Sequence, residues 1–494
     1  MNDHNQVQFN FDNSYAETME GFFAPWKGAI VPDAQMVKLN RPLAKSLKLD
    51  TDRLDGPVGA EIFSGNQAPD GSAGLAQVYA GHQFGGFSPQ LGDGRAMLLG
   101  EIIDDQGVRR DIQLKGSGKT PFSRGGDGKA ALGPVLREYI MCEAMFALGI
   151  PTTRALAAVT TGEDVIRETV LPGAVLTRVA ASHIRVGTFQ FFAARGETEK
   201  VRQLADYSIA RHFPQLQSYD NPYLSLLACV GDKQAALIAR WLLVGFVHGV
   251  MNTDNMTISG ETIDYGPCAF IDDYDPAASY SSIDRHGRYA YQNQPAIGQW
   301  NLARFAETLL PLIDEDQDKA IEAATSVINA FASLHLDYWL KGMRGKLGLF
   351  VSRDDDIDLA RAVLQAMEGE NIDYTLFFRN LAEAVDGNDD KVLSMFDKPG
   401  KLESWLAQWR ERLEMEETDS SVRVATMNLS NPIYIPRNHL VEDALDTATS
   451  KRDFSKFETL MDVLAHPYTK RPGFEKYALP APADFGPYQT FCGT

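Results

Sequence analysis

The chain has 494 residues, enough for roughly two to four average domains or for one large bilobal enzyme. It carries 47 Lys and Arg against 66 Asp and Glu, a formal net charge of -19, which argues against a dedicated binder of nucleic acid or of anionic membranes. The four cysteines are scattered without zinc-ligand spacing, and no signal peptide or membrane span is recognisable, so we expect a cytoplasmic protein.

The first 185 residues are predicted to form a β-sheet with one prominent helix. The predicted elements are a short helix after Pro42, strands over 96–103 and 110–115 joined by a turn, a helix over 135–148, and strands over 155–160, 165–168 and 174–179. The first two strands of the last group are expected to be joined by a turn over 161–164. Six glycines in residues 116–133 favour an irregular loop that could wrap a ligand.

After residue 188 the hydrophobic pattern is mostly helical. Helices are predicted over 199–212, 233–251, 301–312, 319–341, 358–367 and 402–413. The acidic segments 353–356 and 414–419 are predicted to be exposed connections. A small mixed lobe over 1–185, with an N-terminal extension, followed by a large helical lobe over 186–494 with a C-terminal tail, predicts an α+β, bilobal, protein-kinase-like fold.

The segment 248–275 carries the clearest chemical pattern. Asn255 and Asp264 flank a turn at residues 259–260, and two short strands beside that turn would bring both oxygen ligands to one point. Such ligands hold a hard divalent cation beside a nucleoside triphosphate. The spacing resembles a protein kinase's catalytic loop, with Asp264-Tyr-Gly in place of Asp-Phe-Gly, but the position of the kinase's catalytic Asp is Val250. Because valine cannot accept a proton, Asp254 is the candidate general base.

Lys115 and Glu138 form a second predicted pair. Glu138 shares an apolar helix stripe with Val135, Cys142 and Met145, so its carboxylate is expected to point inward and to need a partner. Lys115, at the end of a predicted strand, is the natural partner, because a strand lysine paired with a helix glutamate holds a triphosphate in kinases. A chance ion pair at the edge of the core remains the alternative.

Glycines and arginines supply the remaining candidates. Gly92 and Gly94 could form an ordinary hairpin turn, or could let the backbone approach phosphates while Arg95 adds charge. Taken singly, Arg178 and Arg185 are each expected on a solvated face. Two arginines close to the lobe junction could instead clamp a polyphosphate.

Eight motifs give the chain a family resemblance. They are YAGHQFG (79–85), LGDGRA (91–96), LKGSG (114–118), TPFSRGGDG (120–128), REY (137–139), HIRVG (183–187), HGVMNTDN (248–255) and DYGP (264–267). The chain resembles the selenoprotein O family of protein nucleotidyltransferases, a group similar to pseudokinases, and the resemblance covers most of its length.

The resemblance implies that ATP binds inverted relative to a kinase, so that AMP passes to a Ser, Thr or Tyr hydroxyl of a protein and pyrophosphate leaves. Transfer of UMP from UTP is also credited to some bacterial members. The implied nucleotide contacts are Gly92, Gly94, Arg95, Lys115, Asp127, Gly128, Arg178, Arg185 and Asp264. Asn255 and Asp264 would bind Mg²⁺ or Mn²⁺, Asp254 would accept the proton, and Glu138 would support Lys115.

Two other functions remain open from the residues. The chain could be a true kinase that uses Asp254 as its base, or a non-catalytic nucleotide-binding scaffold that senses redox state through its tail. The resemblance places Cys492 where eukaryotic members carry selenocysteine, and a regulatory disulfide between Cys268 and Cys492 is a hypothesis beside that of a free cysteine.

Overall fold

A computed structural model describes residues 7–490 and has a mixed α+β architecture, as the sequence predicted. The strands are β1 (Phe23–Pro25), β2 (Gln35–Leu39), β3 (Leu75–Gln77), β4 (Gly81–Gln83), β5 (Gly86–Ser88), β6 (Ala96–Ile103), β7 (Arg109–Lys115), β8 (Ala130–Ala131), β9 (Arg154–Ile166), β10 (Val170–Ala180), β11 (Phe246–Val247) and β12 (Ala269–Phe270). The α-helices are α1 (Ser14–Thr18), α2 (Arg41–Ser46), α3 (Thr51–Leu54), α4 (Pro57–Ser64), α5 (Leu132–Ala147), α6 (Val186–Ala193), α7 (Thr198–His212), α8 (Pro222–Leu243), α9 (Gln294–Ile313), α10 (Gln317–Leu347), α11 (Asp356–Met367), α12 (Tyr374–Leu381), α13 (Asp390–Leu393), α14 (Gly400–Glu414), α15 (Ser420–Ser430), α16 (Asn438–Lys451) and α17 (Ser455–Leu464). Short 3₁₀ helices lie at Pro214–Ser218, Thr253–Asn255, Tyr291–Asn293, Ala382–Asp386 and Glu475–Ala478.

Eight strands form one antiparallel sheet in the N-terminal part, in the order β1-β3-β6-β7-β10-β9-β2 with β8 paired to β10. Helix α5 packs against β9 and β10 on one face, and apolar side chains of α2, α3 and α4 cover the other. Lys115 lies opposite Leu176, and Arg178 lies opposite Gln113. Because directly opposed residues share a face of the sheet, Lys115 and Arg178 both lie on the face that α5 covers.

Helix α8 is central to the C-terminal half, where it packs against α9 and α10. This helix begins and ends earlier in the chain than the helix predicted over 233–251. It begins earlier because Asn221 caps the first turn of α8 by accepting a hydrogen bond from the Leu224 N–H at 3.0 Å. At the other end, Gly245 has a φ of +74° that ends helical geometry. Strands β11 and β12 then pair and enclose the predicted metal loop. Within residues 7–490, no helix is both long and apolar enough to cross a bilayer.

The separate strand predicted over 165–168 is wrong, because β9 runs unbroken from Arg154 to Ile166. Pro172 pairs with Asp164 and Ala174 pairs with Thr160, so residues 161–163 lie opposite Gly173 alone. The expected turn is therefore a bulge within one strand.

The predicted turn in the metal loop is present, but the two strands expected beside it are wrong. The Thr257 hydroxyl closes the turn by accepting from the Glu261 N–H at 2.9 Å and donating to the Glu261 carbonyl at 2.7 Å. The short strands lie instead at the ends of the loop, as β11 and β12. Thr257 and Thr262 form single bridges to Arg185 and Thr152, so neighbouring elements fix this loop.

The prediction that the acidic segments are exposed is wrong for two residues. Asp356 is 1% exposed and accepts hydrogen bonds from Arg344 at 2.6 Å and from Arg412 at 2.7 Å. Glu416 is also buried and accepts from the N–H groups of Phe350 and Val351. Tertiary partners on α10 and α14 convert these acidic residues into internal anchors, which a local charge run does not reveal.

Lys346 carries a buried amine that lies beside aromatic rings. Its Nζ lies 4.3 Å from the ring centre of Phe378 and 5.1 Å from that of Tyr374, and the residue is only 2% exposed. Burial lowers the pKa of this amine to about 7. The unfolded chain keeps the proton up to about pH 10, so between these values the folded state becomes more stable as pH rises.

We expect Lys346→Met to raise the free energy of unfolding, because a buried amine is replaced by an apolar side chain of similar length. The gain should be larger at pH 7 than at pH 9 by about 2 kcal/mol, since protonation of the amine stabilises the unfolded chain less at the higher pH. Equilibrium denaturation at both pH values checks this, with Lys341→Met on the exposed side of α10 as the control. A gain independent of pH would contradict the assignment.

Candidate active site

A cleft of about 950 Å³ lies between the sheet, α5 and the loop enclosed by β11 and β12. Every predicted site residue lines it: Gly92, Gly94, Arg95, Lys115, Asp127, Gly128, Glu138, Arg178, Arg185, Asp254, Asn255 and Asp264. The chain thus brings together residues separated by more than 150 positions in the sequence.

Asp264 is the centre of the cleft's charge network. Its Oδ1 accepts hydrogen bonds from Lys115 Nζ at 2.8 Å and from an Arg178 guanidinium nitrogen at 2.6 Å, while its Oδ2 accepts from Arg185 at 3.0 Å. Burial opposes ionisation, but these three cations hold the pKa of Asp264 well below its usual range. The carboxylate is therefore ionised and shared by three positive groups.

Backbone geometry helps to fix this carboxylate. Asp264 has a φ of +63°, in the left-handed region that side chains other than those of Asn and Asp seldom adopt. His248 Nε2 donates a hydrogen bond to the carbonyl of the preceding residue, Ile263, at 3.0 Å. A hydrogen bond from within the loop thus fixes the residue immediately before Asp264.

The structure pairs Lys115 with Glu138, Nζ to Oε2, at 2.6 Å. The pair forms because β7 ends at Lys115 and α5 crosses the same face of the sheet. Arg178 joins it, with a guanidinium nitrogen 2.9 Å from Glu138 Oε1. Arg178 is 1% exposed, so the interpretation that it lies on a solvated face is wrong.

Arg185, just before α6, connects the two halves of the site. It donates to the backbone carbonyl of Asp254 at 2.9 Å as well as to Asp264, and its guanidinium lies 4.5 Å from the ring centre of Tyr79. The residue is 3% exposed, so it too does not lie on a solvated face. One side chain therefore contacts both Asp254 and Asp264 and holds these two residues in register.

Asp254 and Asn255 lie on the 3₁₀ helix of the loop. Asp254 Oδ2 accepts from Gln83 Nε2 at 3.1 Å, whereas its buried Oδ1 has no hydrogen-bond partner among the described residues. Burial raises the pKa of Asp254 to about 6. The Asn255 side chain donates to the Val250 carbonyl at 3.0 Å, which leaves its amide oxygen available as a ligand.

The glycine positions have steric causes. A Cβ on Gly92, where φ is +96°, would lie 2.6 Å from the Phe122 ring, and one on Gly94 would lie 2.7 Å from the Phe122 carbonyl oxygen. A Cβ on Gly128 would lie 2.2 Å from the Gly118 carbonyl oxygen. The predicted glycine loop therefore packs directly on the 92–94 backbone, and no side chain fits between them.

Arg95 and Asp127 lie away from the Asp264 network. Arg95 lines the cleft without an ion pair to any residue in 7–490. Asp127 accepts hydrogen bonds from Arg167 at 2.8 and 3.1 Å, near the cleft edge. An Asp127 contact to nucleotide would have to coexist with this arginine.

Asp93 and Tyr79 are cleft residues that sequence reasoning missed. Asp93 is 2% exposed, accepts from the Gln77 N–H at 3.1 Å and from Gln113 Nε2 at 3.2 Å, and has a pKa raised to about 6 by burial. The sequence did carry a signal for Asp93, because an acidic residue between the candidate glycines Gly92 and Gly94 is itself a candidate site residue. Tyr79 offered no such signal, since its role depends on the position of Arg185.

Cys492, one partner in the disulfide hypothesis, lies outside the described residues. Cys268 is a buried free thiol whose pKa burial raises to about 11.

Comparison with known proteins identifies the family. The family model for the protein adenylyltransferase SelO matches residues 5–465. The protein nucleotidyltransferase YdiU of Rhizobium leguminosarum bv. trifolii is 59% identical over 488 residues, which cover 98% of this chain and 97% of the relative. The protein of the same name from Rhizobium meliloti is 58% identical over 98% of this chain and 99% of the relative. That of Cereibacter sphaeroides is 58% identical over 99% of this chain and 100% of the relative. The chain therefore belongs to the SelO family of protein adenylyltransferases and is a protein nucleotidyltransferase.

Proposed function

We propose that this enzyme binds ATP in the cleft with Mg²⁺ or Mn²⁺ and transfers AMP to Ser, Thr or Tyr hydroxyls of proteins, releasing pyrophosphate. The observation that carries the proposal is the convergence of Lys115, Arg178 and Arg185 on Asp264. The cluster thus brings three positively charged side chains together in the cleft, and such cations can pair with the oxygens of a polyphosphate.

A bilobal, kinase-like arrangement fits this assignment, with an N-lobe over 1–185 and a C-lobe over 186–494. Support comes from the strand lysine paired with a helix glutamate and from the Asn255 and Asp264 loop that follows a long helix. Arg178 lies in β10, near the end of the proposed N-lobe, and Arg185 lies at the proposed junction between the two lobes.

The donor set fits a divalent cation held jointly with substrate. Asp264 supplies carboxylate oxygens and Asn255 an amide oxygen, and within residues 7–490 no cluster of three or more His, Cys, Asp or Glu could hold a metal alone. Mg²⁺ commonly takes one or two side-chain oxygens and completes its coordination with phosphates and water. When bound, such an ion neutralises developing phosphate charge.

Asp254 is the proposed proton acceptor. Asp254 lines the cleft, and its Oδ1 has no hydrogen-bond partner among residues 7–490. A pKa of about 6 leaves the carboxylate ionised at neutral pH yet basic enough to accept a proton. As the acceptor oxygen attacks the α-phosphorus, its proton passes to Asp254 and the bond to pyrophosphate breaks. Lys115, Arg178 and Arg185 stabilise the negative charge that develops on the departing pyrophosphate.

Labelling distinguishes nucleotidyl from phosphoryl transfer. With ATP labelled at the α or the γ phosphate, we expect label in protein only from the α position. Label only from γ would make the protein a kinase, and label from neither with ATP bound would support a scaffold. The same assay with α-labelled UTP compares UMP with AMP transfer.

Asp254→Asn should slow transfer by about 100-fold or more, because the acceptor proton loses its base. ATP affinity should change much less, since the Asp254 contact to Arg185 uses the backbone carbonyl. Single-turnover transfer and equilibrium ATP binding are the two measurements. Unchanged turnover would reject the base assignment.

Asp264→Ala should abolish transfer, because it removes a metal ligand and leaves Lys115, Arg178 and Arg185 without their shared partner. Metal-dependent ATP binding should weaken with it, as measured by titration with and without Mg²⁺. Retained metal-dependent transfer would contradict the ligand assignment. Asp105→Ala, in the exposed turn between β6 and β7, is the control.

Gly81→Ala tests whether Asp254 must keep its position. A Cβ on Gly81 would lie 2.6 Å from Asp254 Oδ1, whereas one on Gly86 in the same hairpin would meet its nearest neighbour, the Gln83 carbonyl oxygen, at 3.6 Å. We expect Gly81→Ala to lower the transfer rate by about tenfold or more, because small displacements of a catalytic group are costly. Gly86→Ala should retain the rate, and equal losses in both variants would argue against the positional account.

A further inference from the structure

A second groove, of about 680 Å³, adjoins the cleft. Phe84 and Ile283 line both cavities, so the groove opens from the cleft across these two side chains. Phe84 is 36% exposed and Ile283 54% exposed. None of the proposed nucleotide and metal residues lines the groove, and its position suggests the other substrate.

The groove begins beside the proposed proton acceptor. Gln83, which donates to Asp254, is followed directly by Phe84 at the tip of the β4–β5 hairpin. The Phe84 N–H donates to Asn252 Oδ1 and to the Tyr289 hydroxyl, each at 3.1 Å, and the Phe84 and Tyr289 rings lie 5.1 Å apart. The hairpin tip is thus fixed between Asp254 and the groove.

The groove wall is basic in a chain of net charge -19. Arg285, His286 and Arg288 line it, and none forms an ion pair with a carboxylate in residues 7–490. Asp284 also lines the groove and keeps its negative charge, but its carboxylate accepts hydrogen bonds from the backbone N–H groups of Arg288 and Tyr289 at 2.9 and 2.8 Å. The two arginines of the wall outnumber this one carboxylate. The wall therefore presents positive charge.

Arg288 is held in place by stacking. Its guanidinium lies 4.9 Å from the ring centre of Trp300, which α9 supplies. A hypothetical Cβ on Gly85, beside Phe84, would lie 3.8 Å from the same guanidinium carbon. A fixed arginine next to the hairpin tip can pair with a carboxylate at lower entropic cost than a free one.

We propose that this groove binds the acceptor protein through a segment with Asp or Glu residues near the modified hydroxyl. The hydroxyl would lie at Asp254, an apolar neighbour would cross Phe84 and Ile283, and the acidic residues would face Arg285, His286 and Arg288. This inference rests on the proposed function and names the substrate class of the same site.

Two peptides test it, each with one serine, flanked either by three glutamates or by three lysines. With α-labelled ATP, the glutamate peptide should have a kcat/KM about tenfold or more above that of the lysine peptide, mainly through KM. The double variant Arg285→Glu and Arg288→Glu should reverse this preference. Arg361→Glu, an exposed arginine on α11, is the matched control and should keep it.

Peptide binding without chemistry separates this inference from the proposed function. Fluorescence anisotropy with serine-to-alanine versions of both peptides should show tighter, salt-sensitive binding of the glutamate peptide, lost in the double variant. Equal binding of both peptides, or an unchanged preference in the double variant, would overturn the groove assignment even if AMP transfer is observed. Preferential binding with no label from ATP would instead support the groove and overturn the proposed function.

Discussion

The site depends on one carboxylate that pairs with three cations, the buried Arg178 and Arg185 and the partly buried Lys115. Without Asp264, the charges of Lys115, Arg178 and Arg185 would repel one another at a place where water cannot screen them fully. The sheet, α5 and the loop between β11 and β12 contribute one or more members each, so the pairing also holds these elements in register. Glu138 completes the arrangement from the helix side.

This network also prepares the cleft for its ligand. The two arginines are already buried, and all three cations are already paired with carboxylates. In the proposed nucleotide complex, phosphate oxygens would therefore replace one set of anionic contacts with another. Preorganised donors of this kind need little reorganisation during the reaction, which is where most electrostatic catalysis arises. Arg185 extends the effect to Asp254 through that residue's backbone carbonyl.

Much of the site was predictable because its members carry local signals. Lys115 ends a recognisable strand, Glu138 lies on an apolar helix stripe, and Asn255 and Asp264 keep the spacing of a known loop. Arg178 was misjudged because its burial depends on cross-strand register: it lies opposite Gln113, on the face that α5 covers. No property of the isolated strand contains that information.

In the fold too, elements with local sequence signals were predicted correctly, and features that depend on tertiary contacts were not. Strand β6 has its predicted bounds because its apolar run ends in clear turn residues, whereas the bulge at residues 161–163 imitates a turn in sequence and is distinguished only by its pairing with β10. Asp356 and Glu416 were expected in solvent because a charge run says nothing of the arginine and backbone groups folded against it.

The close packing at Gly92, Gly94 and Gly128 affects how this enzyme can vary. At most positions of a binding site, mutation inactivates by removing a contact. At these three positions every substitution adds atoms, and the added Cβ would fall within 2.7 Å of Phe122 or of the Gly118 carbonyl oxygen. Chemical similarity of the new residue therefore offers no protection, and even alanine is excluded. Substitution at this wall of the cleft is limited by the space available and, at Gly92 and Gly128, also by a positive φ.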